Sequence, residues 1–232
     1  MSKELDNVFV DVRNAFRLLN DYQKHILNIV NYIREQTEYA EMWGRKNWYS
    51  NEIGNKKNSP DSDYAKLNIR NDMWGWDFLY GYVFEYYFGD LDKKRKGNIE
   101  MSVIQVSDDG YFVSNRENKS MTKISTFEDS ENSHSYIILN MALTKKDNLW
   151  LSDLDYPDDY MKDFLTKFIS SSEDKKIMKN DKGDVSVIKK YKMQKFATQK
   201  GTDDVIRDFG KMVFEQTNMK LFKDCFYENE EC

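Results

Sequence analysis

The chain has 232 residues, a formal charge of −5 and 15% aromatic residues. The 14 Phe, 15 Tyr and 5 Trp supply apolar area for a sizeable core, which excludes a disordered chain despite 32% charged residues. No run approaches the ~18 consecutive apolar residues of a membrane span, and MSKELDNVF lacks the apolar stretch of a secretory signal, so no membrane partner is expected.

With 2 Pro, 10 Gly and no low-complexity linker, residues 1–232 read as a single domain. Cys225 and Cys232 both lie in the last eight residues and cannot staple the fold. They read as unpaired thiols in a reducing cytoplasm; a disulfide between them would constrain only the tail.

The first element is a long amphipathic helix over residues 1–41. Leu5, Val12, Leu19, Ile26 and Ile33 recur every seven residues, and Val8, Ala15, Tyr22 and Ile29 sit three further on. Phe9, Phe16 and Val30 widen the stripe, and Ser2 is a candidate N-cap. A stripe this broad predicts a helix lying on its own domain rather than a two-column coiled-coil seam. Should the stripe exceed what the domain covers, two copies pair through it as an isologous dimer.

Residues 51–63 are a loop by composition, with Trp43, Trp48 and Tyr49 as anchors before it. The sheet-forming region is predicted over 74–197. From Trp74 to Phe88 every even position is aromatic, a period of two that predicts a strand bending near Gly75 or Gly81. These rings read as core rather than as a base-stacking platform. Strands at 98–106 and 110–115 are joined by Asp109-Gly110, a hairpin-turn signal. Residues 116–134 are polar and read as a loop. Residues 135–143 are apolar on both faces and read as a central strand. A helix over 156–169 carries Pro157 in its first turn. Residues 185–197 alternate as another strand, and Thr202 opens a last helix over 202–218. The class is therefore α+β, with a long N-terminal helix and two or three further helices packed on a largely antiparallel sheet of four to five strands.

No phosphate-binding glycine loop, zinc-protease helix or nucleophile elbow is present. His25 and His134 are the only histidines, and neither has a cysteine nearby, so no metal site and no cofactor is expected. Asp153, Asp155, Asp158 and Asp159 converge in sequence, but acids at a helix start serve capping and the dipole. Asp108 followed by Glu117 and Lys119 has the spacing of a metal-dependent nuclease, yet the pair falls in a predicted loop.

Charge segregation is the one positive functional signal. Residues 175–200 hold nine lysines and two acids, a charge of +7 in a chain of −5. Lys189, Lys190, Lys192 and Lys195, with Tyr191 among them, are the candidate binding residues, and their charges are expected to be exposed. An acidic protein surface is the expected partner; nucleic acid is less favoured, because the whole chain is acidic. The alternative is a lysine-protected, solvated edge strand. No catalytic residue is assigned. The expectation is a non-enzymatic cytoplasmic interaction or regulatory protein. A metal-dependent hydrolase or nuclease built from scattered carboxylates, and a nucleic-acid binder using the lysine strand, are the alternatives.

Overall fold

A computed structural model describes residues 2–45, 66–68, 83–93, 97–119, 124–144, 159–181 and 183–227. The described strands form one antiparallel sheet of seven, in the order β2-β1-β3-β4-β5-β7-β6. They are β1 (Trp43–Arg45), β2 (Lys66–Asn68), β3 (Val83–Asp92), β4 (Asn98–Val106), β5 (Tyr136–Thr144), β6 (Lys175–Lys179) and β7 (Val185–Lys192). Among the described residues four α-helices accompany it: α1 (Ser2–Glu35), α2 (Gly110–Val113), α3 (Asp159–Ser170) and α4 (Gln199–Thr217). The α+β class with a long N-terminal helix holds. The sheet is wider than the expected four to five strands, because β1 and β2 are three residues each and β6 is polar.

The predicted hairpin after β4 does not form. Residues 110–113 turn into the short helix α2, and β4 pairs instead with β3 and β5. The Asp108 carboxylate accepts from Gly110 N at 2.7 Å, and Asp109 Oδ1 accepts from His134 N at 2.7 Å. Both aspartates are thus spent on fixing a loop rather than a two-residue turn. Gly110 is also packed too closely to carry a side chain: a Cβ there would lie 2.7 Å from Ser133 Oγ.

The aromatic alternation predicted for 74–88 is legible in β3, where Phe84, Tyr86 and Phe88 enter the main core; residues 74–82 lie outside the described residues. The strand is irregular between Tyr87 and Gly89, while Gly75 and Gly81 lie outside the described residues; Gly89 takes φ 101°, a conformation that favours glycine. β5 is central, as its two apolar faces require. β7 ends at Lys192 and passes into a 3-10 turn over Met193–Phe196. α4 starts earlier than expected, because Thr198 caps it by accepting from Gly201 N at 3.1 Å, while Thr202 is buried inside the helix. The predicted loop at 51–63 and the aspartates at 153, 155 and 158 lie outside the described residues.

Alternation along the strands builds two cores. On one face, Met101, Val103, Ile137, Leu139, Met141 and Val187 pack under Ile26, Val30 and Ile33 of α1 and Val205, Phe209 and Val213 of α4. On the other, Ile104, Val106, Ile138 and Ile188 meet Phe112 of α2 and Leu165, Phe168 and Ile169 of α3. Cys225 is disulfide-bonded, which corrects the expectation of two unpaired thiols.

Candidate functional site

Two surfaces stand out, one polar and one apolar. The polar one is a groove of about 470 Å³ lined by Lys189, Lys190, Tyr191, Lys192 and Lys195, the five residues singled out by sequence. It opens where β7 runs past the end of β6, whose pairing stops at Lys175 opposite Lys189. Tyr136, Asp174, Asp204 and Asp208 complete much of the wall.

The four lysines do not act alike there. Lys190 is buried at 8% exposure, and its ammonium donates to the carbonyls of Phe168, Ile169 and Ser171 at 3.1, 3.2 and 2.6 Å. These are carbonyls at the end of α3, so Lys190 is a helix C-cap. Its cation also lies over the rings of Tyr136 and Phe168. Burial lowers its pKa, partly offset by Asp109 and the acids at 173 and 174. Lys189 donates to Asp208 Oδ2 at 2.7 Å, and the Tyr191 hydroxyl donates to the same oxygen at 2.6 Å. Burial raises the Tyr191 phenol, and its bond to Asp208 raises it further. Only Lys192 and Lys195 of the four remain exposed. The sequence expectation of a uniformly exposed cationic strand is therefore corrected: the lysines of the sheet's edge are Lys175, Lys176 and Lys179 of β6.

Sequence separation hid the partners of these lysines. Asp208 lies on α4, and the Ser171 carbonyl is set by where α3 ends; neither has a local signature. Asp153, Asp155 and Asp158 of the acidic cluster lie outside the described residues, and Glu117 and Lys119 form no metal group with Asp108. Lys119 donates to the carbonyls of Phe112 and Ser114, and no group of three or more His, Cys, Asp or Glu among the described residues is placed to hold a metal ion. Asp109, 2% exposed, is held above the usual carboxylate range by burial, against the opposing pull of the His134 backbone bond. His134 itself stacks on Tyr136 with ring centroids 6.0 Å apart.

The apolar surface is the N-terminal half of α1. At about 1.5 Å per residue, the 34-residue helix is roughly 51 Å long. Its second half is seated on the sheet, with Ile26, Val30 and Ile33 each 0% exposed. A polar clamp marks where the helix arrives: Gln105 Nε2 donates to Gln23 Oε1 at 3.2 Å and to Ser107 Oγ at 2.9 Å, while Tyr22 and Tyr86 donate to Ser107 and Gln105. Before that clamp the helix leaves the body, and every residue from Asn7 to Leu19 is exposed. The stripe nevertheless continues: Val8, Phe9, Val12, Phe16 and Leu19 are 44–59% exposed. Val10 and Leu18, off the stripe, are also exposed. The pattern could not reveal this, because both halves of the helix carry the same apolar spacing.

No helix among the described residues is long and apolar enough to cross a membrane. No curated protein and no solved structure matches the chain. A family model described as PM0109 matches residues 2–218, nearly the whole chain, and the chain belongs to the PM0109 family.

Proposed function

We propose that this is a non-enzymatic interaction protein that works by surface contact with another macromolecule, the N-terminal half of α1 being its contact element. The observation that carries this reading is the run of exposed Val8, Phe9, Val12, Phe16 and Leu19 on a helix anchored at its other end. Their exposed area is on the order of 450 Å², in the range where contiguous apolar patches on soluble proteins are contact sites. A helix of this length standing alone in water is marginal, and an apolar face is what a partner groove or helix recognises. The perturbed ionisable groups of the groove, by contrast, are occupied: Lys190 caps α3, and Asp208 is held by Lys189 and Tyr191.

The test compares the wild-type chain with Phe9→Ser/Phe16→Ser/Leu19→Ser, each immobilised and exposed to purified protein and to extract of the native host. The variant should keep the wild-type unfolding midpoint and lose macromolecules that the wild type retains. Retention of every such molecule by the variant refutes the reading.

A second reading rests on the gathering of all five sequence candidates around one groove. Lys192 and Lys195 would meet an acidic segment of a partner protein, with contacts that fade as salt rises. Lys192→Gln/Lys195→Gln would lose that binding while leaving α1-dependent binding intact. Both readings carry the cytoplasmic location expected from the sequence, and both require the Cys225 disulfide to be dispensable to the fold.

A further inference from the structure

We infer that the partner of the α1 arm is a second copy of this chain, paired antiparallel over the N-terminal half of the helix alone. This rests on the reading of α1 as the contact element and names its occupant. Three observations on the arm converge on it.

Sterics set the direction. The stripe that is exposed from Val8 to Leu19 is the same stripe that is buried under the body from Ile26 to Ile33. A parallel second helix following this stripe would run into the body just past Tyr22 and Gln23, where α1 meets β4. An antiparallel helix runs the other way. Its own anchored half is directed away from the first body, and the two bodies lie at opposite ends.

The available window sets the register. Exposed stripe positions extend from Val8 to Leu19, so the two-fold axis falls midway between Val12 and Ala15. Val8 of each chain then lies opposite Leu19 of the other and Val12 opposite Ala15, twice by symmetry. About three turns of each helix overlap, with pitch 5.4 Å per turn.

Charge selects the same arrangement. Within this window the acid is Asp11, towards one end, and Arg17 lies towards the other. Antiparallel overlap brings Arg17 of each helix beside Asp11 of the other, at both ends. Parallel overlap would set like against like.

Such an interface buries on the order of 1,000 Å² in total, at the low end for specific contacts, so the pair should form in the micromolar range. The purified full chain is followed by light scattering from about 1 to 200 µM, with small-angle scattering at the top of that range. The mass should rise from monomer towards twice the monomer, and the particle should be elongated with separated bodies. Phe16→Glu should stay monomeric with an unchanged unfolding midpoint, and Arg13→Glu/Arg17→Glu should weaken pairing at least tenfold. The same substitution at an exposed phenylalanine of α4, Phe214→Glu, should leave pairing as in wild type. A monomer at every concentration overturns self-pairing; if residues 7–19 then exchange their amide protons rapidly, the arm is free for a different macromolecule and the contact reading survives. A monomer whose residues 7–19 are already protected overturns both. A compact dimer, or pairing by Arg13→Glu/Arg17→Glu as tight as wild type, overturns the antiparallel register.

Discussion

The Lys190 ammonium donates to the Ser171 carbonyl at 2.6 Å, and the same cation reaches the carbonyls of Phe168 and Ile169. A strand residue thereby closes the end of α3 and ties the second core to the sheet. Lys190→Met keeps the stem's apolar contacts and removes the cation and its hydrogen bonds to the Ile169 and Ser171 carbonyls, while Phe168 O keeps its bond from Ser171 Oγ. The expected loss is about 2–3 kcal/mol, read as a fall in the denaturation midpoint. Lys192→Gln and Lys195→Gln, both exposed, should each stay within about 0.5 kcal/mol of wild type. Equal effects at all of these positions would contradict the capping role.

Asp208 and Asp109 should respond to acid in opposite senses. Burial pulls the Asp208 carboxyl upward, but hydrogen bonds from Lys189 and Tyr191 outweigh it and hold the group below its ordinary 3.8. Its contribution is therefore present above that value and is lost as pH falls through the lower folded-state value. With half of its side chain exposed, the contribution is below about 1 kcal/mol. Asp208→Asn should remove it and flatten the acid limb of the stability curve. Asp109 is raised by burial, so its charge costs stability at neutral pH, a cost relieved as pH falls through its folded-state value towards 3.8. Asp109→Asn keeps an acceptor for His134 N and should be at least as stable as wild type at pH 7. Asp109→Ala should lose about 1 kcal/mol, because the partly buried bond from His134 N loses its acceptor. Denaturation curves from pH 3 to 8 check all three variants.

Gly201 sits in the first turn of α4, where alanine ordinarily gains about 1 kcal/mol over glycine. Here a Cβ would lie 2.1 Å from the carbonyl oxygen of Lys195. Gly201→Ala should therefore be destabilising, with a lower melting temperature and the opposite sign to the propensity.

Reduction of the Cys225 disulfide should leave the melting temperature nearly unchanged, since it ties only the last eight residues of the chain. A large drop would show that the tail holds Leu221, Phe222 and Phe226 in the main core.

What could be read from the sequence follows from range. The 3.6-residue stripe of α1 and the two-faced apolar run of β5 declare their type locally, as does the alternation in β3 and β7. The Asp109-Gly110 pair looked like a hairpin because the dipeptide is a turn signal on its own; its use depends on His134 and Ser133, which only the fold brings near. The five groove residues were identifiable from the density of lysine. Which of them are solvated was not, because that is decided by Asp208 and by the end of α3. In the same way Leu19 and Ile26 occupy equivalent stripe positions, yet the first is exposed and the second is buried in the main core.

The most direct measurement of the central claim is amide hydrogen exchange along α1 as a function of protein concentration. Residues 26–33 should be protected at every concentration, being seated on the sheet. Residues 7–19 should exchange rapidly at low micromolar protein and slow severalfold as concentration rises, with no change in the rest of the chain. Protection of residues 7–19 at the lowest concentration, or rapid exchange at the highest, would contradict an apolar arm that is completed by a second copy.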